Sequence, residues 1–247
     1  MAILQCQMGQ GPRRHDDYGA HVRPLDWSVL RLPLESLLAD RQIEVVVTRL
    51  DATPEAVRAL ALQLSEPERE RAGRFRFDRD RRRFIIARAR LRELLAARLG
   101  VPPESVELAC GKNGKPALAG RCAGAGWRFN VSHCDDVALF ALSPEREVGV
   151  DVEAIRPLPG ADGIAARCFS PRENAAYGAL APRDKPLGFF KCWTRKEAFV
   201  KALGVGLAVR LDQLDVSESR LGENGAWRLE SFAPLPGFIA AVASHPG

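Results

Sequence analysis

The chain has 247 residues, 46% hydrophobic and 27% charged, with a formal net charge of +5 and a pI near 9.0. That balance excludes a disordered, collagenous or low-complexity chain, and leaves room for one large globular domain or two of ordinary size. No apolar run approaches bilayer-spanning length, and the opening MAILQCQMGQGPRRHDDYG lacks a basic n-region, an apolar h-region and a small-residue cleavage site, so a soluble cytoplasmic protein is expected.

Residues 1–40 read as an N-terminal extension, rich in Gly, Pro, His and charge, in which Trp27–Leu38 alone could form a short helix. The folded body is expected to begin with Ile43–Leu50, a β-branched run with the look of a buried strand. Thr53-Pro54-Glu55 has the form of a helix start, with Pro at the first position, and Ser65-Glu66-Pro67-Glu68 offers a second. Arg69–Arg92 is the most basic segment, with interleaved acids and an apolar helical face of Phe84, Ala87, Leu91, Leu94 and Leu95. Such runs are usually solvated, salt-bridged helix faces. An Arg cluster holding the phosphates of a small molecule is the sharper alternative, and no aromatic platform or recognition module beside it supports nucleic acid.

Gly111-Lys112-Asn113-Gly114-Lys115-Pro116 is a hairpin turn. Trp127–Val131 reads as a strand running into Ser132-His133. Val137–Leu142 and Glu147–Val152 follow as two more, joined by a turn at Ser143–Arg146. After the linker Arg156–Gly160, Ser170-Pro171-Arg172-Glu173 makes a strong helix start with capping box and Pro. Phe189–Leu207 is a helix closed by Gly204 and Gly206, with Phe189, Trp193, Val200 and Leu203 as its apolar stripe at 100° per residue. Strands are expected at Leu211–Val216, Trp227–Phe232 and Phe238–Ala243. Strand, helices, then strands recur in each part, which predicts an α+β protein of two similar halves, 41–146 and 147–247.

Two places carry charge where apolar side chains belong. In Gly149-Val150-Asp151-Val152-Glu153, residues two apart share a face, so Asp151 and Glu153 project together, either to solvent or as oxygen ligands of a hard divalent ion. On the long helix, Lys196 intrudes into the stripe and Glu197 lies at its edge with Lys201 at i+4, either as a boundary ion pair or as a functional set. The six cysteines show no CxxC and no Cys/His ligand spacing, so they are expected as reduced thiols rather than zinc ligands. GxSxG, P-loop and GxGxxG patterns are absent, and Ser132-His133 builds no triad.

The ordered set Gly-Lys115-Pro116, Phe129-Asn130-Val131-Ser132-His133, Gly149-Val-Asp151-Val-Glu153 and Trp193-Thr-Arg-Lys196-Glu197-Ala198-Phe-Val-Lys201 resembles the 4′-phosphopantetheinyl transferases, of the larger, surfactin-synthetase-activating type. The resemblance implies two α/β halves in pseudo-twofold arrangement with the active site at their interface. It implies transfer of the phosphopantetheine arm of coenzyme A to a serine of an acyl or peptidyl carrier protein, releasing adenosine 3′,5′-bisphosphate. Asp151, Glu153 and Glu197 would hold Mg²⁺, or Mn²⁺ in its place. Glu197, or Glu153 through a water, would be the general base; Lys201 would serve the departing phosphate, and Lys196 would contact the pyrophosphate or brace the helix. Coenzyme A contacts are implied for Arg71, Arg83, Lys115, Ser132, His133, Asp151, Lys196 and Lys201. Asp135 and Asp136, which depart from the family pattern, are expected to face solvent. The matched length favours a monomer acting on carrier proteins, with no nucleic-acid or membrane partner. The competing functions are Mg²⁺-dependent phosphoryl transfer on another nucleotide-like substrate, and anion or nucleic-acid binding through Arg69–Arg92.

Overall fold

The computed structural model describes residues 30–31, 43–111, 114–206 and 209–245. Most of the extension therefore lies outside the described residues. Leu30–Arg31, inside the expected short helix, are instead a strand (β1) paired with Val46 and Val47 of β2 (Glu44–Arg49).

Three helices follow β2. The first, α1 (Pro54–Ala61), is capped by Thr53 Oγ1, which accepts from the Ala56 amide at 3.3 Å. In α2 (Glu66–Gly73) the Glu68 carboxylate returns to the Ser65 amide at 2.9 Å. The basic run is broken at residues 74–77, after which α3 spans Asp78–Leu99. One face of α3 packs Ile86, Leu91 and Leu95 into a core with Leu60, Leu64, Phe129 and Phe140. The basic run is not wholly a solvated face. Arg92 is 2% exposed, and its guanidinium binds Glu68 at 2.7 Å and the carbonyls of Pro103 and Val106 at 2.9 Å each. A hairpin, β3 (Leu108–Cys110) with β4 (Pro116–Leu118), precedes β5 (Trp127–Cys134), β6 (Val137–Pro144) and β7 (Val148–Ala154). The second helical set is α4 (Ala161–Cys168), α5 (Pro171–Gly178) and α6 (Lys185–Leu203), before strands β8 (Arg220–Leu221), β9 (Trp227–Phe232) and β10 (Phe238–Ser244).

The strands form two antiparallel four-stranded sheets, ordered β1-β2-β6-β5 and β7-β10-β9-β8. The halves share a three-stranded motif: β2 pairs with β6 and β6 with β5, as β7 pairs with β10 and β10 with β9, and three helices follow β2 and β7 alike. The sheets pack face to face through Val45, Val47, Leu139 and Ala141 on one side and Val148, Val150, Val152 and Val242 on the other. β7 alternates, so Gly149, Asp151 and Glu153 face α6 instead.

Two expectations fail here. Leu203, assigned to the buried stripe of α6, is 39% exposed, because the helix ends there, capped by Gly204 in the left-handed region (φ +68°). Leu211–Val216 holds a short 3₁₀ turn at Leu211–Gln213 rather than a strand. Its polar backbone is taken up by side chains: Lys196 Nζ donates to the carbonyls of Leu211 (2.8 Å) and Leu214, Arg195 Nε donates to the Val216 carbonyl (2.6 Å), and the Val216 amide donates to Glu173 (2.7 Å).

Candidate active site

The site begins with a glycine. A Cβ at Gly149 would lie 2.1 Å from the Ala198 carbonyl oxygen and 2.4 Å from the Ala202 amide nitrogen, so α6 crosses β7 in backbone contact. Ala198 and Ala202 are the residues after Glu197 and Lys201. The crossing thus brings those two side chains down beside the carboxylates that stand two and four residues along β7 from Gly149.

Asp151 is fully buried, and its Oδ1 accepts from Lys201 Nζ at 2.6 Å and from Ser132 Oγ at 2.7 Å. Lys201 Nζ also donates to Ser132 Oγ at 3.0 Å and to the Val150 carbonyl at 3.3 Å, so its three protons are all engaged. Glu153 is 3% exposed; the Cys134 thiol donates to its Oε2 at 3.4 Å, and Arg156 stands 3.9 Å from the same oxygen. Burial, then the neighbouring Asp151 charge, pushes the Glu153 pKa up to about 7. Glu197, 4% exposed, is raised by burial and by Asp151, while Lys201 pulls it the other way. Burial and then Glu153 drive the Cys134 pKa up to about 12, so the thiol keeps its proton.

These residues fit a hard divalent cation. Asp151 Oδ2 is buried with no hydrogen-bond partner among the described residues, and like-charged carboxylates held close in a buried site are relieved by a cation between them. Among the described residues no three or more His, Cys, Asp or Glu side chains are grouped so as to hold a metal ion by themselves. An ion of the Mg²⁺ kind would need few protein oxygens, since it completes its octahedron with water and substrate oxygens.

The other expected contacts distribute differently. Lys196 is fully buried and takes the bracing role, because Glu173 Oε2 at 2.7 Å and the carbonyls of Leu211 and Leu214 use all three of its donors. It has no donor left for a pyrophosphate. Lys115 donates to Glu147 at 2.9 Å and to the Val148 and Ala202 carbonyls at 3.2 Å each, tying the end of α6 to the start of β7. Ser132 belongs to the Asp151–Lys201 cluster, not to a separate nucleotide pocket. His133 projects from the opposite face of β5 and is exposed as a residue. Desolvation, then the Lys201 and Arg83 charges, push its pKa down to about 4. Arg83 Nε donates to Asp136 Oδ1 at 2.7 Å, so Asp136 does not simply face solvent as expected. Arg79, Arg82, Arg83 and Asp136 line a cleft of about 260 Å³. Arg71 is exposed and lies over the Phe84 ring at 5.3 Å.

Sequence reasoning missed Asn130 and Cys134. Asn130 Oδ1 accepts from the Val150 amide at 2.9 Å, and Cys134 Sγ accepts from the Ala154 amide at 3.4 Å. Their signal was the period of two along Asn130-Ser132-Cys134, which puts three polar side chains on the inner face of one strand.

Three buried acidic side chains and a lysine, drawn from a strand and a helix that cross, are of the kind a phosphoryl-group transferase needs, since that chemistry works by positioning and charge neutralisation. The family model "4′-phosphopantetheinyl transferase superfamily" matches residues 147–235, and "4′-phosphopantetheinyl transferase, N-terminal" matches residues 51–145. The 4′-phosphopantetheinyl transferase HetI of Nostoc sp. is 37% identical over 216 residues, 85% of this chain and 90% of that protein. A putative 4′-phosphopantetheinyl transferase of Synechocystis sp. is 35% identical, covering 68% of this chain and 71% of its own. The human L-aminoadipate-semialdehyde dehydrogenase-phosphopantetheinyl transferase is 33% identical over 66% of this chain and 55% of its own length. The chain belongs to the 4′-phosphopantetheinyl transferase superfamily and is a transferase of that type.

Proposed function

We propose that the chain transfers the phosphopantetheine arm of coenzyme A to a serine of an acyl or peptidyl carrier protein, releasing adenosine 3′,5′-bisphosphate. The observation that carries this reading is the convergence of Asp151, Glu153, Glu197 and Lys201 in one buried cluster, with Asp151 Oδ2 left open among the described residues.

Asp151, Glu153 and Glu197 would hold Mg²⁺, which when bound supplies charge neutralisation at the pyrophosphate. Lys201 is poised beside that position and exchanges a protein acceptor for the departing phosphate, which its 22% exposed side chain permits. The proton of the attacking serine passes to one of the two acidic side chains flanking Asp151, Glu153 on its own strand or Glu197 on the helix. The cleft is lined by Arg79, Arg82 and Arg83 and by Asp51 and Asp136, and its guanidiniums would bind the phosphates of the nucleotide end, Arg83 by giving up Asp136. Arg83 of the cleft bonds Asp136, just past the end of β5, and Ser132 of the acidic cluster lies on β5 itself, so one elongated ligand could reach both. In this reading 41–146 is the nucleotide side and 147–247 the metal and helix side. Both contribute to one site within a single chain, as a monomer requires, and a cytoplasmic setting matches coenzyme A as co-substrate. Among the described residues no helix is long and apolar enough to cross a membrane. A net charge of +5 favours an acidic partner at long range.

The test is the intact mass of an apo carrier protein after incubation with this chain, coenzyme A and Mg²⁺. A gain of one phosphopantetheine group that EDTA abolishes is expected. No gain on acyl and peptidyl carriers alike would refute the reading and turn attention to other phosphoryl acceptors.

A further inference from the structure

The inner row of β5 meets β7 along the seam between the two sheets, and the contacts there run through side chains rather than a main-chain ladder. Asn130, Ser132 and Cys134, each two residues from the next, all bond to β7. Asn130 accepts from the main chain at Val150 and fixes the register. The next two donate to the two carboxylates. Ser132 Oγ takes Asp151 Oδ1 at 2.7 Å, and Cys134 Sγ takes Glu153 Oε2 at 3.4 Å. Cys134 is itself held, since it accepts the Ala154 amide at 3.4 Å and is 2% exposed.

The two donors do the same thing to the two acids. On Asp151, Ser132 and Lys201 both occupy Oδ1, and Oδ2 stays without a hydrogen-bond partner among the described residues. On Glu153, Cys134 and Arg156 both approach Oε2 rather than Oε1. A carboxylate with one oxygen pinned presents its other oxygen in a fixed direction, and a group that orients a ligand in this way commonly governs affinity as strongly as its distance allows. Without the pin, Glu153 has free torsions with which to turn its carboxylate away.

We infer that Ser132 and Cys134 are positioning residues: each holds one oxygen of an acidic side chain on β7, so that Asp151 and Glu153 turn their second oxygens toward a shared divalent cation. The inference rests on the phosphopantetheinyl-transfer reading for its catalytic consequence, but not for its geometry. Cys134 makes the cleaner test, because Ser132 also touches Lys201. A thiol and a hydroxyl can both donate here, whereas a methyl group cannot.

The experiment compares wild type, Cys134→Ala and Cys134→Ser in two assays. Mn²⁺ binding is followed by electron paramagnetic resonance on the chain alone, and transfer to a carrier protein is resolved into kcat and the KM for coenzyme A. Cys134→Ala is expected to weaken Mn²⁺ binding and lower kcat, each about tenfold, the lower end of losses at ligand-orienting groups, with the KM for coenzyme A unchanged. Cys134→Ser should restore both to within about twofold, which a loss of packing alone would not predict. Wild-type Mn²⁺ affinity and kcat in Cys134→Ala would overturn the inference while leaving the transferase reading standing. So would equal losses in the Ala and Ser variants, or a wild type that binds no Mn²⁺. A wild type inactive on every carrier, whose Mn²⁺ binding still weakens in Cys134→Ala and recovers in Cys134→Ser, would support the positioning role and refute the transferase reading instead.

Discussion

Replacing Gly149 by alanine tests the link between fold and chemistry at its narrowest point. The new methyl carbon would stand 2.1 Å from the Ala198 carbonyl oxygen and 2.4 Å from the Ala202 nitrogen, where an ordinary contact is 3.4–4 Å. Both obstacles are helix backbone, so no side chain can swing aside. Relieving the worst contact to about 3.4 Å requires α6 and β7 to part by about 1.3 Å, or the strand to distort by as much. Overpacking of this kind costs about 3 kcal/mol, the upper part of the usual range, because the clash is with main chain. For a chain of this size that lowers Tm by about 6–12 °C. The same parting stretches the 2.6 Å Lys201–Asp151 contact and lifts Glu197 from the acidic cluster. A displacement of about 1 Å in a catalytic group costs on the order of 10²-fold in rate. Thermal melting and the carrier-modification rate, measured well below Tm on the folded protein, read the two effects separately. A Gly149→Ala variant with wild-type Tm and wild-type kcat would refute the argument that this glycine sets the distance between helix and strand.

Glu197→Gln and Glu153→Gln should each leave the fold intact, and the one that removes the proton acceptor should lose at least about 10²-fold in kcat; a wild-type rate in either clears that residue of the role. Asp151→Ala should raise the Mg²⁺ concentration needed for half-maximal transfer by tenfold or more, as titration against activity reads directly. Lys196→Met should lower stability by about 3–5 kcal/mol, since it strands the buried Glu173 carboxylate, while the folded fraction keeps its KM for coenzyme A; a raised KM would restore Lys196 to the pyrophosphate. Asp136→Asn should lower the KM for coenzyme A a few-fold by freeing Arg83 from its 2.7 Å partner, and an unchanged or higher KM would mean the cleft does not receive the ligand's phosphate.

The legible parts of this chain were the local ones. Capping residues announced the starts of α1, α2 and α5, and the alternation of Gly149–Glu153 gave the shared face of Asp151 and Glu153, because both are properties of a few consecutive residues. The i+4 spacing of Glu197 and Lys201 was also visible, but not their partners. Lys201 turns to Asp151 across the crossing, a choice fixed by the closeness of α6 to β7 and not by helix geometry. Lys196 was ambiguous for a related reason. A wheel shows that a lysine sits on an apolar face, yet it cannot show carbonyls from a segment 15 and 18 residues downstream closing around it. The same contacts explain why Leu211–Val216, whose composition suits a strand, pairs with no neighbour among the described residues. Asp136 carries no local signal of its partner, because Arg83 lies 53 residues away.

The Lys196–Glu173 pair has a consequence for how the molecule opens. Segments outside regular secondary structure ordinarily exchange their amide hydrogens through small local fluctuations, independently of the core. Here the Val216 amide is sealed against Glu173, whose other oxygen carries Lys196, and Arg195 grips the carbonyl of the same residue. Releasing that one amide disturbs contacts to both α5 and α6. The Val216 amide, in a residue 1% exposed, should therefore exchange more slowly than the amides of its exposed neighbours Gln213 and Ser217.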